Sequence, residues 1–147
     1  MDELKKFDPF LKLESSRAAD AKRLRLMVID DDRALRETLK AALAPPFQVV
    51  CRPQGEEAIE ELAEFQPGLL ILDIGAPGET GAGLRRKIRA HPRLHGLSIL
   101  CMTARPENDP GASAPGAGAE YIIAKPFEVA ALRERIEVLL DGQPSPN

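Results

Sequence analysis

The sequence has little cysteine and no long apolar run, and both shortages narrow the class of protein. Its 147 residues include two cysteines, Cys51 and Cys101, which stand alone in apolar stretches without CxxC or Cys/His spacing. Such thiols are typical of small core residues in a reducing compartment rather than of a disulfide framework or a zinc site. No apolar run approaches the ~18–20 residues of a membrane span, and the first ten residues mix acids and bases where a secretory signal is apolar. We therefore predict a cytoplasmic protein without a membrane partner.

Nucleotide-binding and nucleic-acid-binding features are also missing. The net charge is −3, and the sequence shows no segregated basic face. Because an acidic domain repels phosphate backbones, we expect no nucleic-acid partner. Neither GxGxxG nor GxxxxGK[ST] occurs, and no Ser/His/Asp arrangement is apparent. The sequence therefore contains no candidate for a glycine-rich loop that would bind the phosphates of a nucleotide.

Strand-like and helix-like patterns alternate along the chain from residue 24 onward. Short apolar runs of strand length are followed by apolar residues at helical spacing, and a final amphipathic helix begins near Val129. This alternation predicts one α/β domain with a parallel sheet covered by helices on both faces. The predicted strands cover residues 24–29, 47–51, 69–72, 97–102 and 121–124.

The two ends of the chain differ in composition from the part between them. We predict an N-terminal extension over residues 1–23, a single domain over 24–141 and a C-terminal tail over 142–147. The extension carries a loose apolar stripe from Leu4 to Leu13. It fits either a segment that covers apolar surface of its own domain or a helix that binds a partner.

Residues with chemical functions stand at the ends of four predicted strands. Asp30 and Asp31 follow the first strand, Asp73 the third, Thr103 the fourth and Lys125 the fifth. The carboxyl ends of parallel strands meet at one edge of a sheet, where binding sites form. Carboxylates gathered there repel each other unless a cation lies among them, and oxygen ligands suit Mg²⁺. A lysine and a threonine hydroxyl can bind phosphoryl oxygens, so the pattern predicts phosphoryl chemistry on a carboxylate with Mg²⁺.

With these motifs the sequence resembles the receiver domain of two-component response regulators over about residues 24–141. The matching segments are MVIDDD (27–32), LLILDIGAPGETG (69–81), LCMTA (100–104) and KPF (125–127), in that order. The resemblance implies a (βα)5 flavodoxin-like fold, with a five-stranded parallel sheet in the order 2-1-3-4-5.

The resemblance also implies a role for each acidic residue at the sheet edge. Asp73 matches the phosphoacceptor of the family. Asp31 resembles a direct Mg²⁺ ligand, and Asp30 resembles its partner, which often acts through water. The backbone carbonyl of Gly75 stands where the family completes the protein's share of the metal site.

Two further residues match the family's phosphoryl-binding groups. Thr103 corresponds to the hydroxyl that turns toward the phosphoryl group, and Lys125 corresponds to the lysine that pairs with it. The family usually has a cis bond after this lysine, so we expect a cis Lys125–Pro126 bond. Asp32 is expected to cap the following helix rather than to bind metal.

Two of the departures from the family pattern concern the fifth strand and the segment before it. Ile122 stands three residues before Lys125, where the family usually places a Tyr or Phe, and the neighbouring Tyr121 would point to the opposite face of a strand. The segment 105–118, between the fourth and fifth strands, is rich in Pro and Gly. In a helix interior Pro costs about 3 kcal/mol and Gly about 1 kcal/mol. We therefore predict that the fourth helix of the family fold is degenerate or missing.

We expect a stand-alone receiver that acts through protein contacts. A sensor histidine kinase or a phosphotransfer protein would supply the phosphoryl group to Asp73 with the help of Mg²⁺, and a downstream protein would bind the result. Such a protein assists its own phosphorylation and dephosphorylation and is otherwise not an enzyme.

Two alternatives remain open at the level of sequence. A degenerate receiver would bind a partner without phosphate, as Ile122 and the altered segment 105–118 suggest. A haloacid-dehalogenase-like phosphatase would use the DxD formed by Asp30 and Asp32. That family usually has Thr or Val at the position of Ala34. It also has a later acidic pair that binds Mg²⁺, and no such pair follows Lys125 at a strand end.

Overall fold

The computed structural model describes residues 21–55, 57–74, 80–104 and 120–141, and a helix follows each of the first three strands and the fifth. Each strand is five residues long, the described helices between strands have nine to eleven residues, and the helix after the fifth strand has thirteen. The strands are β1 (Arg25–Ile29), β2 (Gln48–Arg52), β3 (Leu69–Asp73), β4 (Ile99–Thr103) and β5 (Glu120–Ala124). The helices are α1 (Arg33–Leu43), α2 (Glu57–Phe65), α3 (Thr80–Ala90) and α4 (Val129–Asp141).

The strands form one parallel sheet in the order β2-β1-β3-β4-β5. The register places Ile29 opposite Leu72 at the carboxyl ends of β1 and β3. Across the next pair, Asp73 lies opposite Met102. The carboxyl ends of the strands therefore meet at one edge, and the predicted fold class and strand order are confirmed.

Apolar side chains cover both faces of the sheet. The residues from Leu26 to Ile29 and from Leu69 to Leu72 are fully buried, which explains the unbroken apolar runs of β1 and β3. Alternate residues of each strand point to opposite faces. Leu26 and Val28 belong to a first core cluster with residues of α1 and α4, whereas Met27 and Ile29 belong to a second core cluster with residues of α2 and α3. Packing in the two clusters holds the strands in place, and the strand ends therefore have defined positions at the sheet edge.

The cysteines are part of this core, as predicted. Cys101 is buried in the second core cluster, and Cys51 packs against the first. Within the described residues, neither cysteine forms a disulfide. Burial raises the pKa of the Cys51 thiol, although the nearby cations Lys40, Arg36 and Arg52 oppose that shift.

The second and fourth strands begin later than the sequence predicts, because the first residues expected in them hydrogen-bond to the preceding turn. Phe47 was expected in the second strand, but its N–H donates to the carbonyl of Leu43, 3.1 Å away, so the strand begins one residue later. Leu97 likewise donates to the carbonyl of Leu94 at 3.0 Å, and β4 begins at Ile99. Local backbone hydrogen bonds therefore determine where β2 and β4 begin.

The edge strand β5 confirms the predicted placement of its aromatic residue. Ile122 packs against the second core cluster and Ile123 against the first, so Tyr121 lies on the opposite face from Ile122. Tyr121 is 36% exposed.

Several sequence predictions concern residues outside the described ranges. These are most of the extension 1–23, the segment 105–118 with its degenerate or missing fourth helix, and the tail 142–147. Among the helices in the described ranges, none has the length and apolar character needed to cross a membrane.

Candidate functional site

Asp30 is a buried carboxylate that backbone groups hold at the end of β1. Only 1% of the residue is exposed. Its N–H donates to the carbonyl of Arg52 at 3.1 Å, and its Oδ1 accepts the N–H of Asp32 at 2.8 Å. The Arg36 guanidinium donates from Nη1 to the Asp30 carbonyl at 2.7 Å. The carboxylate therefore has a fixed position behind the sheet edge.

The ammonium group of Lys125 joins Asp30 to Asp73. Its Nζ lies 3.0 Å from Asp30 Oδ2 and 3.4 Å from Asp73 Oδ1. The Lys125 N–H donates to the carbonyl of Thr103 at 2.7 Å, which anchors the lysine to the last residue of β4. The side chains of Lys125 and Asp73 are 26% and 16% exposed, so these charges interact with partial shielding from water.

The Lys125 ammonium keeps its proton in this setting. Burial alone would lower the pKa of Lys125, but the hydrogen bond and charge of Asp30, followed by those of Asp73, outweigh it. The net result is a pKa raised above its ordinary value of 10.5. Lys125 is therefore a cation throughout the neutral pH range.

Gln54, which the sequence analysis gave no role, connects Asp31 to Asp73. Its N–H donates to Asp31 Oδ1 at 2.9 Å, and its Nε2 donates to the carbonyl of Asp73 at 2.6 Å. The Gln54 Oε1 atom is buried, and no described residue forms a hydrogen bond with it. The predicted strand order was the one available clue, because it places the loop after β2 beside the carboxyl end of β1.

The other predicted residues fall as follows. Thr103 is the last residue of β4 and is only 3% exposed. Asp32 caps α1 as predicted, because its side chain accepts the N–H groups of Ala34 and Leu35 at 2.9 and 3.3 Å. The Lys125–Pro126 bond is cis, also as predicted. Gly75 lies outside the described residues.

The described side chains include no ready group of three or more His, Cys, Asp or Glu residues that would hold a metal. Asp30 and Asp73 instead share the Lys125 ammonium. The oxygen donors nearby still fit Mg²⁺, which needs one or two carboxylates and keeps several waters. Asp31 offers an exposed carboxylate at this edge, and the Gln54 Oε1 atom is an acceptor to which none of the described residues donates.

Comparison with known proteins agrees with this geometry. Residues 26–137 match the family model described as the response regulator receiver domain. The chain belongs to this family. The resemblance inferred from the sequence is confirmed.

Curated relatives of this receiver domain are response regulators. The phosphate regulon transcriptional regulatory protein PhoB of Rhizobium meliloti (strain 1021) is 35% identical over 117 residues, which cover 79% of this chain and 52% of PhoB. The two-component response regulator PhoP of Pseudomonas aeruginosa is 32% identical over 118 residues, which cover 80% of this chain and 52% of PhoP. The receiver domain thus spans about half the length of the curated relatives it matches.

Solved structures show the same fold. The receiver domain of nitrogen regulatory protein C superposes with a TM-score of 0.65 at 32% identity, covering 82% of this chain and 96% of that one. The receiver domain of a signal transduction histidine kinase from Syntrophus aciditrophicus gives a TM-score of 0.68 at 25% identity, covering 84% and 94%. Both of these structures are receiver domains.

Proposed function

We propose that Asp73 of this receiver domain accepts a phosphoryl group from a sensor histidine kinase or a phosphotransfer protein, with Mg²⁺ as cofactor. One observation carries the proposal. The Lys125 ammonium lies 3.4 Å from Asp73 Oδ1 and is held there by Asp30, at 3.0 Å. A carboxylate next to a fixed cation at a sheet edge is suited to receive a group that brings negative charge.

The chemistry follows from these positions. An Asp73 carboxylate oxygen attacks the phosphorus of the donor, and an oxygen–phosphorus bond forms as the bond to the leaving group breaks. The electron pair leaves with that group, which is imidazole for a phosphohistidine and acetate for acetyl phosphate. In this proposal Lys125 compensates the charge of the phosphoryl oxygens, and the Thr103 hydroxyl donates to one of them.

The proposed metal site uses Asp31 as a direct ligand, with Asp73, the Gly75 carbonyl and, through water, Asp30. When bound, Mg²⁺ neutralises charge on the phosphoryl oxygens. The burial of Asp30 and its bond to Lys125 support an indirect role for that carboxylate. Asp31 is exposed, so its carboxylate can reach a metal without losing much hydration.

The reaction modifies the protein itself, so the domain assists one transfer onto Asp73 and one hydrolysis from it and is not an enzyme in the ordinary sense. Its output is then contact with a downstream protein. The names of the relatives, which are regulators, support a signalling role. A cytoplasmic location and the absence of a nucleic-acid partner stay predictions.

Intact-mass spectrometry tests the assignment directly. Incubation with acetyl phosphate and Mg²⁺ should add one phosphoryl group, and the adduct should be absent with EDTA. Asp73→Asn should abolish it, whereas the matched variant Asp32→Asn, at the N-cap of α1, should keep it. An adduct on the Asp73→Asn protein, or none on the parent protein with any phosphoryl donor, would falsify the proposal.

A further inference from the structure

The side chain of Gln54 has an unusual position in this site. Its backbone N–H binds the Asp31 carboxylate and its Nε2 binds the Asp73 carbonyl. One residue thus contacts both the proposed metal ligand and the proposed phosphoacceptor, across the end of the intervening strand β1. Its remaining polar atom, Oε1, is buried and has no donor in the part of the chain that the structure describes.

The orientation of this amide is fixed by its surroundings. Turning the amide over would set Oε1 against the Asp73 carbonyl at the 2.6 Å now spanned by Nε2, so two acceptors would face each other. The Oε1 atom is therefore held as an acceptor. An acceptor buried without a donor is costly, and such atoms in folded proteins commonly serve a bound ion or water.

The neighbouring cations are already engaged. Lys125 binds Asp30 and Asp73, and Arg36 binds the Asp30 carbonyl. No donor among the described residues serves Gln54 Oε1, so a ligand bound at this edge can supply one. The waters of a bound Mg²⁺ are strongly polarised donors, and groups that accept from them orient the metal site.

We propose that Gln54 is a positioning residue of the metal site, whose Oε1 accepts a hydrogen bond from a water bound to Mg²⁺. The inference rests on the proposed function, because it needs the metal to bind beside Asp31 and Asp73. It adds a residue from the loop after β2 to a site otherwise built from strand ends. Gln54 then determines how tightly the metal binds before any phosphoryl group arrives.

Calorimetric titration of the full chain with Mg²⁺ alone tests this role without phosphorylation. Gln54→Met keeps the length of the side chain but removes its polar atoms, and we expect a Kd for Mg²⁺ about tenfold weaker than that of the parent protein. Gln66→Met is the matched control, because Gln66 also donates from Nε2 to a backbone carbonyl, that of Ala63 at 2.9 Å, at the opposite edge of the sheet.

The outcomes separate this inference from the proposed function. A parent-like Kd for Gln54→Met overturns the role of Gln54 and leaves the proposed function standing. If the parent itself binds no Mg²⁺ at millimolar concentration, both the inference and the proposed metal site are wrong. Melting of each variant without metal, followed by circular dichroism, reports folding separately from metal affinity.

Discussion

Replacing Lys125 with methionine gives the sharpest test of the charge arrangement at the sheet edge. Lys125 Nζ is 3.0 Å from Asp30 Oδ2, and the Asp30 side chain is only 1% exposed. Methionine fills nearly the same space but brings no charge. The change therefore leaves a buried carboxylate without its cation while disturbing the packing little.

The expected cost follows from this burial. Removing one partner of a buried ion pair costs about 3–5 kcal/mol. Lys125 is 26% exposed, and Asp30 keeps the N–H of Asp32 at 2.8 Å, so the loss should fall at the lower end, about 3 kcal/mol. For a domain of this size, that loss corresponds to a melting temperature lower by about 6–12 °C.

Urea denaturation at neutral pH with EDTA measures the effect, because a metal ion can then not replace the missing charge. Lys40→Met, at an exposed position in the last turn of α1, is the control and should change the free energy of unfolding by no more than about 0.5 kcal/mol. Adding Asp30→Asn to Lys125→Met removes the unpaired charge and should recover most of the loss. If Lys125→Met costs no more than Lys40→Met, the reasoning about the buried pair is refuted.

Four further predictions follow from the same residues. The pKa of Lys125 is raised in the folded state, so its contribution to stability is complete below the unfolded value of 10.5 and is lost as the pH rises through the folded value. Above about pH 10.5 the free energy of unfolding of the parent should therefore fall by more than that of Lys125→Met. Mg²⁺ should raise the melting temperature of the parent, and Asp31→Ala should remove most of that gain; an unmoved melting temperature at millimolar Mg²⁺ would contradict the metal assignment. Asp32→Ala should cost about 1 kcal/mol in urea denaturation through the lost helix cap, whereas Asp32→Asn should cost little. Amides between residues 107 and 117 should exchange hydrogen as rapidly as a loop, and protection equal to that of α4 would mean that the Pro and Gly content was misleading.

The fold was predictable because its signal is repeated in every strand. Unbroken apolar runs such as Leu69–Leu72 occur where a strand is buried on both faces, and all four of these residues are fully buried. The strand ends were predictable for the same reason, since a polar residue after a buried run has to lie at an edge. The cap at Asp32 depends on its immediate neighbours alone, and it too was correctly predicted.

The features that escaped prediction depend on contacts between distant segments. Gln54 gains its position from the pairing of β2 with β1 and from the carbonyl of Asp73, and nothing in the neighbouring sequence marks it. The bond of Lys125 to Asp30 joins residues from opposite ends of the domain. The sequence indicated that both residues lie at one edge of the sheet. It did not indicate that the Lys125 ammonium lies closer to Asp30 than to Asp73.

The hydrogen bond from the Lys125 N–H to the Thr103 carbonyl limits how this edge can respond to a new ligand. It ties the backbones of the two residues together at 2.7 Å, just where β4 and β5 end. The hydroxyl of Thr103 and the ammonium of Lys125 therefore cannot separate by sliding of the strands without breaking that bond. Their adjustment is confined to rotation about side-chain torsion angles, so a response that begins here starts as a change of rotamer rather than as a shift of the sheet.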